Sequence, residues 1–349
     1  MFSRREILIG GAAAALPIPG SRSARAAQAI PSDARFAAVD PQMIDDLKLL
    51  RPMDVSADNL AAFRSRPATR QAHPLPPSPV SRLPLKTVTI PGLAGQPPVG
   101  TVQFDPGPRK AGRGAVVWMH GGGYVAGAAG IPVALREAAL AHGWLVVSVD
   151  YRLAPEARLT ASLADNYAAL RWVHGQAEVL GVDRARIAVG GASAGGGHAA
   201  MLALAARDRG EVPLACQVLI YPMLDDRTGS SRPARPGTGE FVWTAASNRF
   251  GWSSLLGVPA GSAGVLRGVV PGRCNDLAGL PPAFIGVGTL DLFLDEDIAY
   301  AGALAAAGVA VDLAVVPGAF HAFDGIAPTA RASRAFTARW VAGLTAALT

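Results

Sequence analysis

The sequence predicts an α/β fold, a mostly parallel sheet with helices on both faces, and three observations carry that reading. Apolar runs of strand length recur between Ala115 and Pro317: "AVVWM", "LVVSV", "RIAVGG", "ACQVLIYP", "AFIGVG" and "VDLAVVP". A strand that is apolar at successive positions is buried on both faces, as in a parallel sheet covered on two sides. Helical patterning separates these runs in "PVALREAALAHG", around Ala161–His174, after Ser193, over Glu296–Ala307 and at the C-terminus. That alternation predicts parallel strands joined by crossover helices. Finally, 50% of the 349 residues are hydrophobic and 17% charged, enough apolar material for a large core.

The chain begins "MFSRREILIGGAAAALPIPGSRSARAAQA". An arginine pair, a short Ala/Gly-rich apolar stretch and Ala-x-Ala spacing predict a bacterial export signal over residues 1–29, cleaved after Ala26 or Ala29. "SRREIL" resembles the twin-arginine type, so the expected partner is the twin-arginine export machinery and the expected location is periplasmic or secreted. The apolar stretch is too short to span a bilayer, so no stable membrane anchor is implied.

Residues 36–64 carry helical patterning, and residues 65–84 hold six prolines and read as a surface linker. Two strand-like runs follow, "LKTVTIPG" and "PVGTVQFD". The α/β alternation then runs to the C-terminus, interrupted over about 225–278 by the loop-like "DDRTGSSRPARPGTGE" and the aromatic helix pattern "FVWTAASNRFGWSSLLG". The expected organisation is an N-terminal segment of cap helices and linker (30–84) and a core (85–349) with a cap insertion.

The net charge of +6 invites a nucleic-acid reading. Arg4, Arg5, Arg22 and Arg25 against Glu6 place half of that excess in the leader, so no basic binding face and no nucleic-acid partner are expected. Cys216 and Cys274 are too few for a disulfide framework or a thiolate zinc site, and Cys216 reads as a buried free thiol.

Gly191-Ala192-Ser193-Ala194-Gly195 is a G-x-S-x-G pattern set between a strand and a helix. At such a turn the serine backbone is strained, the flanking glycines let strand and helix pass closely, and Oγ is exposed at a helix N-terminus. A serine hydroxyl needs a base. Of the six histidines, His73 lies in the linker, and His142 and His174 lie near helix ends. His198 lies about 140° around the helix from Ser193, out of comfortable reach. His120 precedes a glycine loop, which leaves His321 in "PGAFHAFD" to fit the order serine, acid, histidine. The acid expected after a strand end is Asp291, with Asp225 and Asp226 as alternatives. Asp295, Glu296 and Asp297 read as carboxylates at the positive end of the next helix. "MHGGGYVAG" follows strand "AVVWM", and its glycines leave backbone N–H groups open to an oxyanion, alongside Ala194.

These motifs resemble the hormone-sensitive-lipase-like esterases of the α/β-hydrolase family. The resemblance runs from about Asp40 to the C-terminus through "HGGGY", "DYRLAPE", "GASAGG", "LIYPMLD", "LAGLPPAFIGVGTLDLFLDE" and "PGAFHAFD". It implies an α/β-hydrolase fold with a helical cap, nucleophile Ser193, acid Asp291 and base His321. It also implies an oxyanion hole from Gly122, Gly123 and Ala194, supported by His120, Gly121, Gly191 and Gly195. The implied activity is hydrolysis of small carboxylic esters with short acyl chains, without a cofactor or metal. Phe241, Trp243, Phe250 and Trp252 are candidates for substrate contact or for cap packing. Two positions depart from the family pattern: Ala192 replaces an acidic residue, and Ala322 replaces a glycine.

Two other readings compete. A non-catalytic small-molecule binder of the same fold would be expected to lack part of this machinery, and every part is present. A dinucleotide site would use Gly121, Gly123 and Ala126 with Asp150. That motif needs a helix beginning in the glycine loop, whereas Gly127, Gly130 and Pro132 delay it to about Val133.

Overall fold

The computed structural model describes residues 34–50, 54–66, 71–107, 111–265 and 268–349. The leader expected at residues 1–29 lies outside the described residues. The chain divides into Met1–Ala37, of which a 3-10 turn at Ala34–Phe36 is described, and Ala38–Thr349, which holds all the elements below.

The patterning over 36–64 resolves into short pieces, a 3-10 turn at Pro41–Met43, α1 (Ile44–Lys48) and α2 (Leu60–Arg64). Helices of five residues are too short to stand alone, so tertiary contacts hold them. The Pro-rich stretch is largely exposed from 72 to 79, with one 3-10 turn at Pro79–Arg82.

Strands and helices then follow nearly as expected. They are β1 (Lys86–Ile90), β2 (Val99–Phe104), β3 (Arg113–Met119), α3 (Val133–His142), β4 (Leu145–Asp150), α4 (Leu159–Gly175), α5 (Ala177–Leu180), β5 (Val182–Ala192) and α6 (Ala194–Arg209). The second half holds β6 (Cys216–Ile220), α7 (Ala245–Leu256), β7 (Ala283–Gly288), α8 (Leu294–Ala306), β8 (Val311–Val316), α9 (Phe323–Ile326) and α10 (Arg331–Leu348). One eight-stranded sheet has the order β1-β2-β4-β3-β5-β6-β7-β8. β2 runs antiparallel to β1 and β4, and the pairs from β4 to β8 are parallel.

β3 shows why the strands read as unbroken apolar runs. Ala115, Val117 and Met119 face a core shared with Leu170 of α4, Leu202 of α6 and Leu304 of α8. Trp118 points the other way, its ring centroid 6.2 Å from that of Trp340 on α10. The sheet is therefore buried on both sides. Because β3 to β8 are parallel, the residues after their carboxyl ends, including His120, Ser193, Asp291 and His321, gather along one edge.

Candidate active site

β5 ends at Ala192, and the chain reverses into α6 through Ser193, whose φ of 57° and ψ of −122° lie outside the comfortable region for a non-glycine residue. Its neighbours hold it there. Ser193 N–H donates to Ile220 O (2.8 Å), and Ser193 O accepts from Gly197 N–H and Met223 N–H (both 3.0 Å). A Cβ on Gly191 would run into the backbone of Gly195 and Met119, and one on Gly195 into Met119 and His120. Glycine is required at both positions because β3, β5 and α6 cross with no room between backbones.

Ser193 Oγ lies 2.9 Å from His321 Nε2, and His321 Nδ1 lies 2.8 Å from Asp291 Oδ2. All three side chains are buried. Asp291 follows β7, and its other oxygen accepts from Phe293 N–H (3.0 Å), which fixes the carboxylate plane. His321 follows β8, and its ring is gripped edge-to-face by Tyr221 at 4.9 Å and Phe293 at 5.2 Å. Tyr221 Oη in turn donates to Asp324 (2.8 Å). Ala322, the position that departs from the family pattern, takes the left-handed conformation (φ 61°) that suits glycine.

The alternative acids are committed elsewhere. Asp225 takes two hydrogen bonds from the Arg227 guanidinium and one from Arg232, and Asp226 is held by Arg273 and Gly261 N–H. Asp295, Glu296 and Asp297 open α8 as expected, and the exposed Asp295 pairs with Arg235 at 2.5 Å. Glu296 and Asp297 are buried, and burial pushes both carboxyls well above the usual carboxylate range.

After β3, Gly122 and Gly123 turn through φ of 126° and 62°. Gly122 O accepts from Val125 and Ala126 N–H, while the N–H groups of Gly122, Gly123 and Ala194 find no acceptor among the described residues. Gly121 lies against Ala192 and Ser193. His120 does not approach Ser193. Its Nδ1 lies 2.8 Å from Gly121 O, its ring stacks on Tyr151 at 4.3 Å, and Tyr151 Oη donates to His120 O. Burial lowers the His120 pKa, which suits a neutral ring shaping the loop. His198 is also walled off, edge-on to Tyr124 and Tyr151, and burial pulls its pKa down to about 3. Among the remaining histidines, His73 Nδ1 lies 3.2 Å from Asp46 and His142 stacks on Trp144.

Two distant segments pack against the glycine loop. Arg64 at the end of α2 donates to Val125 O (2.7 Å) and Ala154 O (2.9 Å) and pairs with Glu156 (2.7 Å), tying that helix to the glycine loop and to "DYRLAPE". From the insertion, the Trp243 indole fills the space where Gly123 would carry a Cβ, and Trp243 Nε1 donates to Asn248 Oδ1 (3.2 Å). Trp252 is fully buried 4.9 Å from Tyr124, and Phe241 packs 6.0 Å from Phe320. Those two rings are packing residues, while Phe250 is half-buried. The dinucleotide reading has no support here: α3 starts at Val133, and Asp150 accepts from Ala129 N–H. Among the described residues no group of three or more His, Cys, Asp and Glu side chains is placed to hold a metal ion.

A family model described as the α/β hydrolase fold matches residues 116–325, more than half of the chain. The chain belongs to the α/β-hydrolase family. Within that family it is a carboxylesterase-type enzyme of the hormone-sensitive-lipase-like group. This α/β-hydrolase is 36% identical over 316 residues to "Esterase LipI" of Mycobacterium tuberculosis, covering 88% of this chain and 94% of the relative. It is 36% identical over 238 residues to "Ethyl acetate hydrolase" of Pseudomonas putida, covering 67% and 71%. The solved structure titled "Bacterial Heroin Esterase" superimposes with a TM-score of 0.76 at 32% identity, covering 90% of this chain and 99% of that one.

Proposed function

We propose that this esterase hydrolyses short-chain carboxylic esters by acyl transfer through Ser193, His321 and Asp291. The observation that carries the reading is the unbroken line from Ser193 Oγ through both nitrogens of His321 to Asp291. In this scheme Nδ1 carries a proton donated to Asp291, which leaves Nε2 free to accept the serine proton. Oγ attacks the ester carbonyl and forms a tetrahedral intermediate. Its oxyanion is held by the N–H groups of Gly122, Gly123 and Ala194, which have no other acceptor among the described residues. His321 then passes its proton to the departing alcohol oxygen as the C–O bond breaks. Water, deprotonated by the same nitrogen, attacks the acyl-enzyme, releases the carboxylic acid and restores the serine. No step calls for a cofactor.

Two observations support a short acyl chain. The Trp243 indole is packed onto Gly123, so little space lies beside the oxyanion loop. One similar protein is named for the hydrolysis of an acetate ester. In this reading the α2 segment and the 225–278 insertion act as a cap over the pocket.

Ser193→Ala should leave a folded protein whose nitrophenyl-acetate turnover falls by about 10³-fold or more. An organophosphate should label Ser193 in the parent chain. Full turnover in Ser193→Ala would refute the scheme. We also propose that Arg4 and Arg5 route the chain through the twin-arginine machinery. Replacing both by Lys should retain the protein in the cytoplasm of an exporting host, and unchanged export would reject that route.

A further inference from the structure

The motif "LIYPMLD" straddles the end of β6 and supplies no reacting group to the proposed scheme. Its first half is sewn to the serine turn. Ile220 O accepts from Ser193 N–H (2.8 Å), and Met223 N–H donates to Ser193 O (3.0 Å). Between them Tyr221 N–H donates to Gly286 O on β7 (2.6 Å), and the Tyr221 backbone takes a φ of 35°. A bulky residue rarely adopts that conformation, which persists only where the surroundings impose it. The consequence is a change of face. Side chains alternate along a strand, so Leu219, which belongs to the core shared with α4 and α6, predicts that same face for residue 221. The Tyr221 ring lies instead against α10, stacked 6.5 Å from Phe336.

On that side the ring meets His321, with centroids 4.9 Å apart and planes at 65°. Phe293 bounds the same imidazole at 87°. The far end of the tyrosine is fixed as well. Its Oη donates to Asp324 Oδ1 (2.8 Å), and Phe323 lies edge-on to it at 6.4 Å. Tyr221 is buried, and burial raises its pKa, which keeps the phenol protonated as a donor. Asp324 stands in α9, three residues beyond His321, so the phenol closes a ring of contacts between β6 and the histidine segment. One short segment thus holds the serine backbone through Ile220 and Met223 and touches the imidazole through Tyr221. Proton transfer is sensitive to such placement: a displacement of about 1 Å can cost ~10²-fold in rate.

We propose that Tyr221, tethered by Asp324, is a positioning residue that keeps His321 Nε2 on Ser193 Oγ. The inference rests on the proposed catalytic scheme and gives Tyr221 no contact with substrate. The ring contact stops the imidazole from swinging away from Oγ while its proton comes and goes, and the bond to Asp324 stops the tyrosine ring from yielding. Because the same segment holds the serine backbone, base and nucleophile share one reference point.

The test is nitrophenyl-acetate kinetics of the whole chain beside the rate at which an organophosphate labels Ser193, both counted per folded molecule. Tyr221→Leu removes the ring, so kcat and the labelling rate should each fall ~10²-fold while KM stays within about twofold of the parent. Tyr221→Phe keeps the ring and loses the tether, and its loss should be about three- to tenfold. Asp324→Ala should match Tyr221→Phe, and Asp324→Asn, whose amide oxygen still accepts, should recover most of that loss. Tyr221→Phe combined with Asp324→Ala should lose no more than either alone. A residue that only fills space would lower the urea midpoint and leave kcat and labelling of the folded molecules unchanged. That result in Tyr221→Leu or Tyr221→Phe would overturn the proposal, as would a loss confined to KM or additive losses in the double variant. A parent chain that is not labelled at Ser193 would overturn the catalytic scheme, and the positioning role with it. A labelled parent beside variants labelled at the parent rate would overturn the positioning role alone.

Discussion

The two sides of the site are built in different ways. On the core side, Ser193 is held by backbone: a forced φ, three main-chain hydrogen bonds and glycines whose replacement would collide with neighbouring strands. On the side of the proposed cap, position depends on side chains: Arg64 reaches the carbonyls of Val125 and Ala154, Trp243 reaches Gly123, and Ser247 Oγ accepts from Val55 N–H (3.1 Å), joining the two outer segments. Backbone packing tolerates almost no substitution and keeps geometry within the small margins that proton transfer needs. Side-chain tethers allow residues to change while the fold survives. In the proposed scheme the chemistry rests on the rigid side, and the shape of the pocket rests on the adjustable one.

The comparison breaks most severely at the acid. Asp291→Asn presents an amide to His321 and favours the wrong tautomer, so kcat should fall by about 10⁴-fold with little change in KM. Asp225→Asn should keep turnover within a few-fold and instead lower stability by about 1–2 kcal/mol. It loosens a buried carboxylate from Arg227 and Arg232, which are themselves partly solvated. Steady-state kinetics beside urea titration separates the two, and the reverse pattern would assign the acid to Asp225.

A change on the cap side should alter selectivity instead of the chemistry. Trp243→Ala opens space beside Gly123, and each further methylene admitted should raise kcat/KM by about fourfold, from ~0.8 kcal/mol per buried CH₂. Removing a buried indole should also cost about 3–5 kcal/mol of stability, so Trp243→Leu serves as the milder variant. An acyl series from acetate to octanoate reads the shift, and an unchanged optimum would remove Trp243 from the pocket wall.

The smallest expected effect on turnover is at His198, which acts on stability instead. His198 is neutral in the fold because burial lowers its pKa to about 3, whereas an unfolded histidine titrates near ~6.5. Below about pH 6.5 the unfolded chain binds a proton that the folded chain refuses, so stability falls as pH falls, by up to ~1.4 kcal/mol per unit, until about pH 3. His198→Leu, packed between the same tyrosines, should flatten the decline of the urea midpoint between pH 6 and pH 4. Turnover at neutral pH should be retained. An equally steep decline in the variant would place the proton uptake elsewhere.

Much of this was legible before any coordinate. The apolar strands and helical stretches appear within a few residues of their expected limits, because each signal sits inside its own segment. G-x-S-x-G and "HGGG" could be read because the close approach of backbones excludes every residue but glycine at fixed spacings. The N-terminal region was harder. Its patterning from 36 to 64 looks helical, yet the described pieces are only five residues or fewer, since long-range tethers rather than local propensity hold them. Asp295, Glu296 and Asp297 open α8 as their place after a strand suggests, while the burial that raises the Glu296 and Asp297 carboxyls comes from distant packing that no local pattern shows.

The sequence by itself determined the class of fold, the strained serine, the glycine loop and the histidine after the last strand. Each follows from short-range sterics or from chain order along a parallel sheet. Only the tertiary structure decided which carboxylate meets His321, which histidines are sealed among aromatic rings, and where Trp243 lies. Those outcomes depend on contacts between residues tens to hundreds of positions apart, which no local pattern encodes.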